Sequence, residues 1–142
     1  MLRKVVSGLA LVGMFALGLL AGRTGGVQAQ TANHLFEVRI YTAGEGKLDA
    51  VVKRFRDPEV GLFDKYGMKA VLYSTISEPT ERQNQFVYVL QHDSREAARE
   101  SWAKFLADPE FRAAAAASNE GGRAVVSVES FFVEPTDFSP LK

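Results

Sequence analysis

Leu35-Phe36-Glu37-Val38-Arg39-Ile40-Tyr41 puts Phe36, Val38 and Ile40 on one face and Glu37, Arg39 and Tyr41 on the other. A period of two is the pattern of a half-buried β-strand. If the apolar trio packs on helices, Glu37, Arg39 and Tyr41 face a cavity on the far side of the sheet. Thr42 to Gly46 ends the strand with two glycines, and Leu48, Val51, Val52 and Phe55 then recur at helical spacing. Asp57-Pro58-Glu59 interrupts this helix, and Asp as N-cap with Pro at the first position is expected to restart it through Phe63 to Tyr66. Gly67 stops it.

Lys69 to Ile76 and Gln85 to His92 read as two further strands joined by the polar turn Ser77 to Gln83, a hairpin. Asp93-Ser94-Arg95-Glu96 resembles a capping box, with the Asp93 side chain covering a free N–H and Glu96 reaching back. The helix it opens carries Ala97, Ala98, Trp102 and Phe105, and the last two are expected in the core. Asp108-Pro109-Glu110 repeats the earlier break, the alanine run Ala113 to Ala117 suits a helix, and Asn119 to Gly122 ends it. Ala124 to Phe132 is the last strand. The order β-α-β-β-α-β predicts an α+β ferredoxin-like sandwich, with the two Asp-Pro-Glu breaks at equivalent places in its two helices. Helices cover only one sheet face in such a fold, so the second face points to dimerisation through the sheets.

The chain has 142 residues, 17 basic and 17 acidic, and no cluster of like charge, so nucleic-acid binding is not expected. It has no cysteine, which excludes disulfides, thiolate metal sites and cysteine nucleophiles. Met1-Leu2-Arg3-Lys4, the uncharged run Val5 to Gly22 and Val27-Gln28-Ala29 form a secretory signal pattern. Cleavage after Ala29 leaves residues 30–142, with Arg3, Lys4 and Arg23 removed and a net charge of −3. The expected location is periplasmic or secreted, with no membrane contact after cleavage. The alternative is an uncleaved anchor, since the 18 uncharged residues can just span a bilayer.

Phe36-Glu37-Val38-Arg39-Ile40-Tyr41-Thr42 with Gly46-Lys47-Leu48, His92 to Ala98 with Trp102, Phe105 and Asp108-Pro109-Glu110-Phe111, and the tail Pro135-Thr136-Asp137-Phe138-Ser139-Pro140 together resemble the NIPSNAP family. The resemblance covers nearly all of residues 30–142. It implies a dimeric α/β barrel, two ferredoxin-like subunits packed sheet to sheet around a cavity. Relatives of that fold include cofactor-independent oxygenases, haem-degrading enzymes and plain binding proteins, so the fold leaves activity open. Phe111 stands where many members carry tryptophan.

The ligand-binding candidates are Glu37, Arg39, Tyr41, Tyr73 and Tyr88. Arg39 leads them because a guanidinium clamps a carboxylate with two parallel hydrogen bonds. The bland reading pairs Glu37 with Arg39 for structural reasons alone. His92, at the end of the third strand, and Tyr41 are the weaker catalytic candidates. Parity places Phe86, Tyr88, Leu90 and His92 on one face of that strand and Val87, Val89 and Gln91 on the other, without saying which is inward. His34 is expected to be solvated. Neither histidine has a second ligand at a metal-site spacing, so no metal is expected, and no residue pattern calls for a cofactor. A phosphate loop and a hydrolytic triad have no matching residues. The expected function is a homodimer binding a small organic ligand, leaning away from catalysis. The alternatives are a cofactor-independent oxygenase or isomerase in the same cavity, and an interaction module without a small-molecule site.

Overall fold

The computed structural model describes residues 34–142; the leader expected at 1–29 lies outside them. Strand β1 (Leu35–Ala43) leads into helix α1 (Leu48–Arg54), a π-helical turn (Phe55–Glu59) and helix α2 (Val60–Lys65). Strands β2 (Lys69–Thr75) and β3 (Gln85–His92) follow, then helices α3 (Arg95–Ala107) and α4 (Pro109–Ser118) and strand β4 (Val125–Val133). The sheet is antiparallel in the order β2-β3-β1-β4. This is the ferredoxin-like α+β arrangement. Within one chain the sheet does not close: β2 and β4 are free edges.

Register decides which face of β1 meets the helices. Glu37 lies opposite Leu90, Arg39 opposite Tyr88 and Tyr41 opposite Phe86, and directly opposed residues point to the same side. The Tyr88 ring packs on Phe55 and Phe63 of the helical layer, at 4.8 and 5.9 Å between centroids. Leu35, Glu37, Arg39 and Tyr41 therefore face the helices, and Phe36, Val38 and Ile40 face the open side, the reverse of the sequence expectation. The alternation of β1 is real, but its inward face is held by ion pairing and aromatic stacking instead of by aliphatic burial. On β3 the inward set is Phe86, Tyr88, Leu90 and His92, all buried.

The two Asp-Pro-Glu breaks are not equivalent. Asp108 is a true N-cap, accepting from the Glu110 and Phe111 N–H groups at 2.7 and 3.4 Å, with Pro109 in the first turn of α4. Its other oxygen accepts from Lys65 Nζ at 2.8 Å and Tyr66 Oη at 2.6 Å, tying α2 to the α3–α4 junction. Asp57 instead is exposed and extended (φ −154°, ψ 114°), makes no capping bond, and lies inside the π-helical turn. Glu59, at the end of that turn, is buried, whereas Glu110 is exposed. The cap of α3 also shifts by one residue. Ser94 Oγ accepts from Ala97 N at 3.0 Å, while Asp93 is solvent-exposed and lies 3.7 Å from His34 Nδ1.

Candidate functional site

One row of side chains crosses the helix-facing side of all four strands. Ser130 of β4 is opposite Arg39 of β1, Arg39 is opposite Tyr88 of β3, and Tyr88 is opposite Tyr73 of β2. Every member is polar, and the row is flanked by the buried apolar residues Val51, Phe55, Phe63, Phe86, Leu90 and Phe105. Three atoms of this row, Arg39 Nε, Tyr88 Oη and Tyr73 Oη, are buried with no hydrogen-bond partner among the described residues. Native interiors leave few such groups, because each orphan loses its water without replacement.

Glu37 organises one side of the row. Its Oε1 accepts from Arg39 Nη1 at 2.6 Å and Ser130 Oγ at 2.7 Å, and its Oε2 from Trp102 Nε1 at 2.7 Å and His92 Nε2 at 3.0 Å. Burial by itself would push this carboxyl up, but the bonds from His92, Trp102, Ser130 and Arg39 outweigh it and hold the group at about 2. Glu37 is thus ionised, and the His92 nitrogen facing it carries a proton. The His92 side chain is 1% exposed, so it meets Glu37 and not solvent. Arg39 lies over the Trp102 ring, 4.1 Å from its centroid, and 5.7 Å from that of Tyr41. Burial opposes its charge, yet the neighbouring Tyr88, Tyr41 and Glu37 raise its proton affinity further.

On the other side, Glu59 is 1% exposed. Its Oε1 lies 2.5 Å from Arg54 Nε, and Arg54 Nη1 donates to Ser118 Oγ of α4 at 2.9 Å. Burial pushes the Glu59 carboxyl up to about 7, with Arg54 and then Arg39 offsetting only part of it. Burial likewise pushes Tyr73 up to about 12, helped by Asp64 and Glu59, and raises Tyr88 well above its ordinary value. The row therefore holds protonated phenols beside a permanent cation. Because folding raises the Glu59 affinity for a proton, its contribution to stability is complete below the ordinary carboxyl range and is lost as pH rises to about 7. Denaturant unfolding should show wild-type stability falling by about 3 kcal/mol over that interval, and Glu59→Gln should flatten the slope. An equal slope in the variant would show that another group is responsible.

The sequence-expected residues Glu37, Arg39, Tyr41, Tyr73, Tyr88 and His92 all lie on one side of the sheet. Trp102 was expected as plain core; its ring does pack edge-on to Phe105, but its N–H and its face serve Glu37 and Arg39. Ser130, Arg54 and Glu59 are further members that the sequence reading did not single out. The legible hint was register: once β1 is paired, each strand places a polar residue at the same level. His34, 35% exposed at its side chain, stands apart beside Asp93. Among the described residues no group of three His, Asp or Glu side chains is placed to hold a metal ion. The row opens towards β4, whose helix-facing Val128 and Ser130 are exposed and where Arg39 keeps 17% of its side chain accessible.

The NIPSNAP family model matches residues 36–140. The chain belongs to the NIPSNAP family. Its fold is similar to that of a NIPSNAP family protein of unknown function from Agrobacterium tumefaciens, at 22% identity and a TM-score of 0.68, covering 79% of this chain and 96% of that one. An uncharacterised NIPSNAP-like domain protein from Burkholderia xenovorans gives 18% identity and a TM-score of 0.66, over 77% and 90% of the two chains. A putative antibiotic biosynthesis monooxygenase from Caulobacter crescentus shares the fold at 15% identity and a TM-score of 0.51, over 75% and 92%. No curated protein matches the chain. The NIPSNAP assignment fits the ferredoxin-like sandwich and places both the β1 and the His92–Phe111 segments inside the matched region.

Proposed function

We propose that this NIPSNAP protein is an exported homodimer that binds a small organic acid between its sheet and its helices. Arg39 clamps the carboxylate, and the Tyr88 and Tyr73 hydroxyls bind a second polar group of the ligand. The observation that carries the reading is the row of three buried, unpartnered polar atoms, Arg39 Nε, Tyr88 Oη and Tyr73 Oη, on adjacent strands. A hydroxy or keto acid supplies acceptors for all three. Glu37, already satisfied by four donors, holds Arg39 in place, and the ligand enters beside Ser130 and Tyr41. Export rests on the leader pattern of residues 1–29.

The homodimer rests on the open sheet face. Val38, Ile40, Val87 and Val89 occupy its centre, with Leu72, Phe131 and Val133 at 48%, 49% and 40% exposure towards its two edges. Apolar surface of this kind, on a face carrying no helix, is stabilised by burial against a second copy. Pairing two such faces gives the dimeric barrel arrangement of the family resemblance.

The test is a thermal-shift and calorimetric screen of C3 to C8 hydroxy and keto acids. A binder should lose roughly 10- to 100-fold in affinity with Arg39→Lys, which keeps the charge but not the planar fork. Tyr88→Phe should weaken it by about 10-fold through loss of one hydrogen bond. If no such acid binds, or if these variants bind as wild type does, the reading fails. A second reading, turnover of the same ligand by an isomerase-like proton transfer, is supported by Glu59, a buried carboxyl that burial pushes up to about 7 against the opposing Arg54 charge. Deuterium incorporation into a bound acid from heavy water, lost in Glu59→Gln, would distinguish it from simple binding.

A further inference from the structure

Trp102 is the only tryptophan of the chain, and it touches both members of one ion pair. Its Nε1–H donates to Glu37 Oε2 at 2.7 Å, while its ring centroid lies 4.1 Å from Arg39 Cζ. Glu37 Oε1 in turn accepts from Arg39 Nη1 at 2.6 Å, which closes a triangle of three side chains. The indole is itself held, edge-on to Phe63 at 5.7 Å and to Phe105 at 5.4 Å between centroids. Helix α3 thus sets a fixed aromatic face against a cation that belongs to β1.

The triangle determines which edge of the guanidinium is left over. Nη1 is committed to Glu37, with Ser130 Oγ at 3.4 Å, whereas Nε is buried without a partner and Nη2 has none among the described residues. The Nε–Nη2 edge is one on which a guanidinium holds a carboxylate with two parallel bonds. A single anchor at Nη1 would leave the plane of the group free to pivot, aiming that edge in no fixed direction. The indole face opposes the pivot, because the cation loses its attraction to the ring as it tilts away. An arginine serving structure alone gains by filling both edges, since each unmet buried donor is costly.

We propose that Trp102 is the positioning residue of the Arg39 clamp, its ring and its N–H together fixing the guanidinium so that the Nε–Nη2 edge meets the ligand carboxylate. The ligand rests on the organic-acid reading above, but the fixing of Arg39 is measurable without any ligand. Nitrogen NMR relaxation and water exchange of the Arg39 Nε–H are read in the full protein, with the buried Arg54 Nε–H, beside Glu59, as the internal control. In Trp102→Leu the Arg39 Nε–H should exchange at least about 10-fold faster than in wild type and lose its order, with Arg54 unchanged. Trp102→Phe keeps an aromatic face without the N–H and should fall between the two; it decides alone if the leucine variant does not fold. An acid that binds the wild type should bind roughly 10-fold more weakly to the leucine variant and about 3-fold more weakly to the phenylalanine variant. Wild-type order of the Arg39 Nε–H in the variants would overturn the proposal. So would equal loosening of Arg39 and Arg54, the mark of a merely structural role, or acid affinity unchanged in both variants. Loosening of Arg39 alone, in a protein whose wild type binds no acid, would uphold the positioning and sink the organic-acid reading.

Discussion

Glu37→Ala is expected to destabilise the protein by about 3–5 kcal/mol, the cost of removing one partner from a buried ionic cluster. Four donors converge on this carboxylate, and its removal strands the Arg39 charge, the Trp102 and Ser130 donors and the buried His92 ring together. Against a typical total of about 5–15 kcal/mol, such a loss threatens folding at 37 °C. Glu37→Gln keeps the shape and gives up the charge, and it should fall between wild type and alanine in a denaturant titration. The acid limb follows from the same geometry. Folding lowers the Glu37 carboxyl to about 2, so its stabilisation is complete above the ordinary carboxyl range and drains away as pH falls towards 2. Glu37→Gln should lack that component of acid unfolding. A loss below about 1 kcal/mol in the alanine variant would mean that the cluster is not a stabilising unit.

Val89→Asp is expected to convert the proposed dimer into a monomer. Val89 stands on a central strand of the open face, opposite Val38 on one side and Leu72 on the other. In a twofold interface each substitution appears twice, so two carboxylates would be buried in apolar surroundings without a cation. The dissociation constant should rise by roughly 100-fold or more, read by light scattering or analytical ultracentrifugation across a concentration series. Helical circular dichroism should persist, because Val89 points away from the helix layer and its replacement leaves the Phe55–Phe63–Tyr88 aromatic core in place. A variant that remains dimeric at nanomolar concentration would place the interface elsewhere.

Much of this molecule is legible in one dimension. Strict alternation in Leu35–Tyr41 and Gln85–His92, apolar spacing after Lys47, and the glycine and proline punctuation yield the βαββαβ order, because backbone periodicity follows from local geometry. The same segments carry the family resemblance, and the residues expected at the site do fall on one side of the sheet. Tertiary structure alone decided which side. A strand with Phe36, Val38 and Ile40 on one face and Glu37, Arg39 and Tyr41 on the other can turn either inward, provided the buried charges find partners. Those partners come from far along the chain, Trp102 on α3, His92 on β3 and Ser130 on β4, and no local pattern announces them. The two Asp-Pro-Glu breaks make the same point. Identical in sequence, one caps a helix and the other closes a π-helical turn that ends on the buried Glu59; Asp108 has Lys65 and Tyr66 to hold it, while Asp57 faces solvent. The sequence determined the elements and their order; long-range pairing of buried charge determined which face became the site.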